Sequence, residues 1–172
     1  WFFMFADYQK ERLLTFVYPN RDPLGAGSKV AQSIIAVGSG GVLGRGLGFG
    51  SQSQLHFLPE SQTDFIFSVI AEELGFVGII IVLSLFAIVL FRLTRIALGA
   101  RRDFSGYATL CIAVIFLSHV IINIGGAIGL LPVTGVTLPF ISYGGTSLII
   151  NFLMLGIVQS ASRTATYSQK AL

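Results

Sequence analysis

Charged side chains are scarce in this chain: they make up 11% of its residues, against 53% hydrophobic, and the mean hydropathy is +0.80. That leaves too little polar surface to cover a soluble globule, so the bilayer is the expected solvent. The net charge of +3 does not read as a nucleic-acid surface, because most of the basic residues fall in two groups that membrane topology explains. Cysteine is scarcer still. Cys111 stands alone in an apolar run, which excludes an internal disulfide and leaves the redox compartment open. The two histidines, His56 and His119, have no partner at ligand spacing, so neither a metal site nor a cofactor is expected. An initiator methionine and a basic leader before a hydrophobic run are also lacking. The opening Trp-Phe-Phe-Met-Phe predicts the end of an earlier membrane span over residues 1–5.

What is present divides sharply by charge. Residues 6–64 carry five basic and five acidic groups, which no bilayer core accepts, and they read as a large loop outside the membrane. Residues 65–172 read as three membrane helices with a polar tail. No charge occurs from Leu74 to Phe91, and after Arg92, Arg95, Arg101 and Arg102 none follows Asp103 until Arg163. The stretch 129–139, with two prolines and two glycines, interrupts that second run. Helices are predicted at about 65–93, 105–129 and 142–161: an all-α integral membrane protein. The positive-inside rule places the arginine-rich 92–102 connection and the C-terminus in the cytoplasm, with 6–64 and 129–141 outside.

Within the outer segment, Arg21-Asp22-Pro23-Leu24-Gly25-Ala26-Gly27 predicts a turn. Lys29 to Val37 predicts a short amphipathic helix on the membrane, with Val30, Ile34, Ile35 and Val37 downward. The glycine-rich run from Gly38 to Gly50 matches neither dinucleotide nor Walker spacing. It fits a close-packed loop, and Arg45 at its centre keeps an anion cradle open as the other reading. Thr63 or Asp64 can cap the first full helix, where a carboxylate also meets the positive helix end. Glu72 lies two turns further on, roughly 80° round the helix from Asp64, so both can border one outward cavity. His119 and Asn123 share a helix face and, with Asn151, read as hydrogen-bonding between helices; Gly125 and Gly129 read as a close-contact pair.

Five blocks then carry a resemblance over nearly the whole chain. They are Arg21 to Gly27; Leu58-Pro59-Glu60 with Thr63-Asp64-Phe65; Ala71-Glu72-Glu73-Leu74-Gly75; Gly129 to Gly135; and Leu138-Pro139-Phe140-Ile141-Ser142-Tyr143-Gly144-Gly145-Thr146-Ser147. Together they resemble the shape, elongation, division and sporulation (SEDS) family, and Gly44 to Leu55 resembles its rod-shape branch. The chain departs from the family's common pattern at Ser28, Lys29, Gln62 and Gly126. The resemblance implies the C-terminal portion of a ten-helix peptidoglycan glycosyltransferase in the bacterial plasma membrane. It implies lipid II as substrate, a class B penicillin-binding protein as partner, and Asp64 as the catalytic aspartate. Arg45 and Lys29 are then the expected contacts to the substrate's diphosphate, with Glu72 lining the site. A lipid-linked sugar flippase and a scaffold for the penicillin-binding protein are the alternative functions.

Overall fold

Four helices make up the part of the chain that a computed structural model describes, residues 26–50, 62–100 and 103–170. They are α1 (Ala26–Ser39), α2 (Ile66–Leu98), α3 (Asp103–Ala127) and α4 (Gly145–Lys170), and there is no strand among the described residues. The span end expected at 1–5, residues 21–25 of the expected turn, the Leu58-Pro59-Glu60 block, His56 and Arg101–Arg102 lie outside them, while Ala26 and Gly27, expected to complete that turn, already belong to α1.

Helices α2 and α3 and the Gly145–Ser162 part of α4 are each long and apolar enough to cross a membrane. The three expected spans are present, with ends shifted for local reasons. Helix α2 continues past Arg92 to Leu98, where the Gly99 N–H bonds the Arg95 carbonyl at 3.1 Å and the Arg95 guanidinium lies 5.5 Å from the Phe91 ring centre. Helix α3 stops at Ala127 because Gly129 adopts φ 75°; its N–H returns to Gly126 and that of Leu130 to Gly125, at 3.2 and 2.8 Å. That pairing is a Schellman cap. Gly125 and Gly129 therefore end a helix rather than seat one span against another: Leu131 folds over Gly125, and Ile34 of α1 meets Gly129. Helix α4 begins at Gly145, later than expected, since Ser142 and Tyr143 belong to the preceding turn.

Helix α1 packs on the protein through its small residues and leaves outward the isoleucines expected to face the membrane. Ser33 and Ala36 are fully buried, while Ile34 and Ile35 are 46% and 56% exposed. The Ser33 hydroxyl donates to the Ala127 carbonyl at 2.6 Å, so the Ser68 hydroxyl at 2.5 Å must donate to Ser33. Small side chains let α1 wedge between the start of α2 and the end of α3, with Ala36 against the buried Phe65.

The largest departure from a simple span lies inside α2. At Gly75 the backbone turns to φ 64° and ψ −159°, which splits the helix in two. The glycine-rich loop fills the break. The Phe76 and Val77 N–H groups, which in a continuous helix would bond Glu72 and Glu73, instead bond the carbonyls of Gly41 and Val42 at 3.0 and 3.2 Å. The carbonyls of Glu72 and Glu73 accept from the N–H groups of Arg45 and Gly46, both at 3.0 Å. Four helical groups thus keep partners by exchange, as a low-dielectric setting demands. A Cβ on Gly40, Gly44 or Gly75 would overlap the opposing backbone. Phe76 to Leu98 alone rises about 34 Å, enough to cross a hydrocarbon layer about 30 Å thick.

Two clusters hold the spans together. Leu93, Ile112, Ala113, Phe116 and Val158 join all three, and Phe86, Val120 and Leu138 pack between α2, α3 and the 138–143 turn. Phe140 links turn and helices, edge-on to Phe116 and Phe152 with ring centres 5.5 and 5.6 Å apart. It does so at φ 64°, a conformation costly for a side chain with a Cβ.

Candidate functional site

The turn at residues 62–65 leads directly into α2 and carries Asp64, which is half-buried. Phe65, with its ring buried, occupies the N-cap, and no side-chain cap hydrogen bond forms there. The capping part expected of Thr63 or Asp64 is therefore not what shapes this end. Three consecutive carbonyls of the turn are each held by a different donor. The Tyr143 N–H bonds Gln62 O at 2.8 Å, the Ser142 hydroxyl bonds Thr63 O at 2.7 Å, and the Asn123 amide bonds Asp64 O at 3.1 Å. The second N–H of that amide bonds Val136 O at 2.8 Å, and Ser142 Oγ accepts the Leu138 N–H at 2.8 Å. The α3–α4 connection is thus stitched to the turn. Its residue Gly135, at φ 77°, comes so near the carboxylate that a Cβ there would lie 3.6 Å from Asp64 Oδ2.

Beside the turn lies a groove of about 440 Å³, lined by Gln62 and Ile66 on one side and by Ser142, Tyr143, Gly144 and Leu148 on the other. The N-terminal ends of α2 and α4 both meet it, so the partial positive ends of two helices border one concavity.

The other residues marked in the sequence are distributed differently. Glu72 has no exposed surface, and its carbonyl accepts the Arg45 N–H of the glycine-rich loop, so it does not line an outward cavity with Asp64. The break at Gly75, which the helical projection could not include, brings that loop over it. Arg45 is exposed, and its Nε reaches Ser39 O at 3.4 Å. The N–H groups of Gly44, Arg45 and Gly46 are all spent within the protein, which favours the close-packed reading of the loop over a cradle of backbone amides. Lys29 is half-buried at the other end of α1, with about 15 Å of helical rise between it and Ser39. Asn123 binds two loops rather than a neighbouring span. Ser142 carried no separate signal in the sequence beyond its place in the Leu138 to Ser147 block. Among the described residues no three His, Cys, Asp or Glu side chains converge on a metal-sized centre.

Comparison with known proteins gives one answer. Residues 1–167 match the cell cycle protein family of FtsW, RodA and SpoVE. Peptidoglycan glycosyltransferase MrdB of Escherichia coli K12 is 49% identical over 160 residues, covering 93% of this chain and 43% of that protein. Stage V sporulation protein E of Bacillus subtilis is 45% identical, covering 94% and 44%. A chain from a structure described as "Structural coordination of polymerization and crosslinking by a peptidoglycan synthase complex" superimposes with a TM-score of 0.72 at 37% identity, covering 93% of this chain and 43% of that one. The crystal structure of Thermus thermophilus rod shape determining protein RodA gives 0.56 at 33%, covering 91% and 56%. This chain spans less than half the length of the curated relatives it matches. A match of that extent and identity places it in a family: the chain belongs to the FtsW, RodA and SpoVE proteins that its five sequence blocks resemble.

Proposed function

We propose that this chain carries the outer-face active site of a peptidoglycan glycosyltransferase that polymerises lipid II, with Asp64 as general base. The observation that carries the reading is the placing of Asp64. Its carboxylate stands at the mouth of a membrane helix that it does not N-cap, on a turn whose backbone is anchored at three points beside a groove. In the reaction the acceptor sugar's hydroxyl oxygen bonds to the donor's anomeric carbon as the bond from that carbon to the lipid diphosphate breaks. The hydroxyl proton passes to Asp64. The helix ends at the groove favour negative charge, and exposed Arg45 remains the cation proposed for the diphosphate. Lys29, at the far end of α1, fits that part less well, and buried Glu72 is given a supporting part under the loop. The family relationship supports a class B penicillin-binding protein as partner and cell elongation as the setting. It also supports a plasma-membrane location with the site outside and the C-terminus in the cytoplasm.

A flippase would be favoured by a broken helix near the bilayer midplane. The break in α2 does not lie there, because Phe76 to Leu98 still spans the full thickness. Replacing Asp64 by Asn tests the proposal: purified protein with its partner is expected to fold and to lose lipid II polymerisation by roughly a hundredfold or more. Near-parent polymerisation would end the general-base reading.

A further inference from the structure

We infer that Asn123 is a positioning residue for Asp64, with Ser142 as its counterpart one residue back along the same turn. The inference rests on the general-base reading above. Asn123 is 4% exposed in a helix of largely apolar character, where a leucine would have the same branching and no hydrogen bonds to make. Its amide spends both N–H groups outside α3, on Asp64 O at 3.1 Å and Val136 O at 2.8 Å. Its own oxygen is buried with no hydrogen-bond partner among the described residues. Turning the amide over would set that oxygen against two carbonyl oxygens, so the carbonyls themselves dictate which way it points. A buried amide that leaves its acceptor unsatisfied is retained at a cost in stability. What it secures is a double tie: the residue carrying the carboxylate to the loop that carries Gly135, where a Cβ would lie 3.6 Å from Oδ2.

Ser142 makes the same kind of tie one position earlier. Its hydroxyl donates to Thr63 O at 2.7 Å and accepts the Leu138 N–H at 2.8 Å. The two side chains fix successive peptide units, so the backbone at Asp64 cannot shift without breaking one of these bonds. Both act through backbone groups, and neither takes part in proton transfer.

The test is lipid II polymerisation by purified protein with its partner, read as kcat and KM separately, for Asn123→Leu, Asp64→Asn and the two combined. Asn123→Leu removes the unsatisfied oxygen but leaves the Asp64 and Val136 carbonyls without this donor, so folding is checked by thermal unfolding before the kinetics are read. Its kcat should fall roughly ten- to a hundredfold, the scale for misplacing a catalytic group by about an ångström, with KM within about twofold. In the combined variant Asn123→Leu should add no loss to that of Asp64→Asn, because it acts through that residue. Parent kcat in folded Asn123→Leu protein, or a loss that multiplies in full onto Asp64→Asn, would overturn the inference and leave a merely structural strut. If Asn123→Leu does not fold, Ser142→Ala decides by the same criteria. Activity retained by Asp64→Asn alone would reject the general-base reading instead, a different outcome from an inert Asn123→Leu beside an inactive Asp64→Asn.

Discussion

Positive backbone angles occur at several glycines, and what surrounds each one sets the cost of adding a side chain. Gly75 and Gly135 have similar angles, φ 64° and 77°, but a Cβ on Gly75 would enter the backbone of the loop at Gly44. One on Gly135 would rest 3.6 Å from Asp64 Oδ2, an ordinary contact. Gly135→Ala is therefore expected to cost about 1–2 kcal/mol from the backbone angle alone. Gly75→Ala must also displace the loop and its four exchanged hydrogen bonds, and should cost upwards of about 3 kcal/mol. Thermal unfolding in detergent separates the two; equal shifts would show that the loop yields easily. Asp64 was legible at this scale from its place between a proline-ended loop and an apolar helix, and from the motif around it. Asn123 and Ser142 were not: their partners are backbone carbonyls 59 and 79 residues away, and such ties leave no periodic trace in a sequence.

At the scale of elements, hydrophobic runs announced the three spans, because a bilayer-crossing helix needs a long stretch free of charge and little else. Their ends were harder to read, since a Schellman cap or a serine-bound turn depends on local geometry that hydropathy does not carry. The break in α2 escaped for a further reason. One glycine in an apolar run reads as a tolerated helix residue until a second segment supplies hydrogen bonds to the gap. The protein-facing side of α1 was not legible either, since it is made by Ser33 and Ala36, small residues that no apolar pattern marks. The glycine-rich loop divides its labour between backbone and side chain. Arg45 anchors through its N–H to Glu72 O, while its side chain stays exposed. Arg45→Ala leaves the anchor in place and removes only the guanidinium. It should raise the KM for lipid II several-fold with little change in kcat, as expected for loss of a ground-state contact. An unchanged KM across a full titration would leave the loop with packing alone.

For the whole molecule, the arrangement of charge yields a topology that can be checked directly. With Cys111 replaced, a cysteine at position 130, on the α3–α4 connection, should react with an impermeant reagent added to intact cells. One at position 99, beyond the basic end of α2, should react only after permeabilisation. Labelling of position 99 from outside would invert the orientation and remove Asp64 from the side where a lipid-linked sugar polymer is assembled.

The splice between the glycine-rich loop and α2 also bears on biogenesis. Residues 40–46 are synthesised before the helix they complete, yet the carbonyls of Glu72 and Glu73 and the N–H groups of Phe76 and Val77 have their partners in that loop. Since Phe76 to Leu98 alone spans the hydrocarbon, the break lies toward the interface, and an α2 inserted without the loop either closes these four groups into one continuous helix or leaves them to interfacial water. In the folded protein the gap at Gly75 is shared between two segments, one of them made before the other.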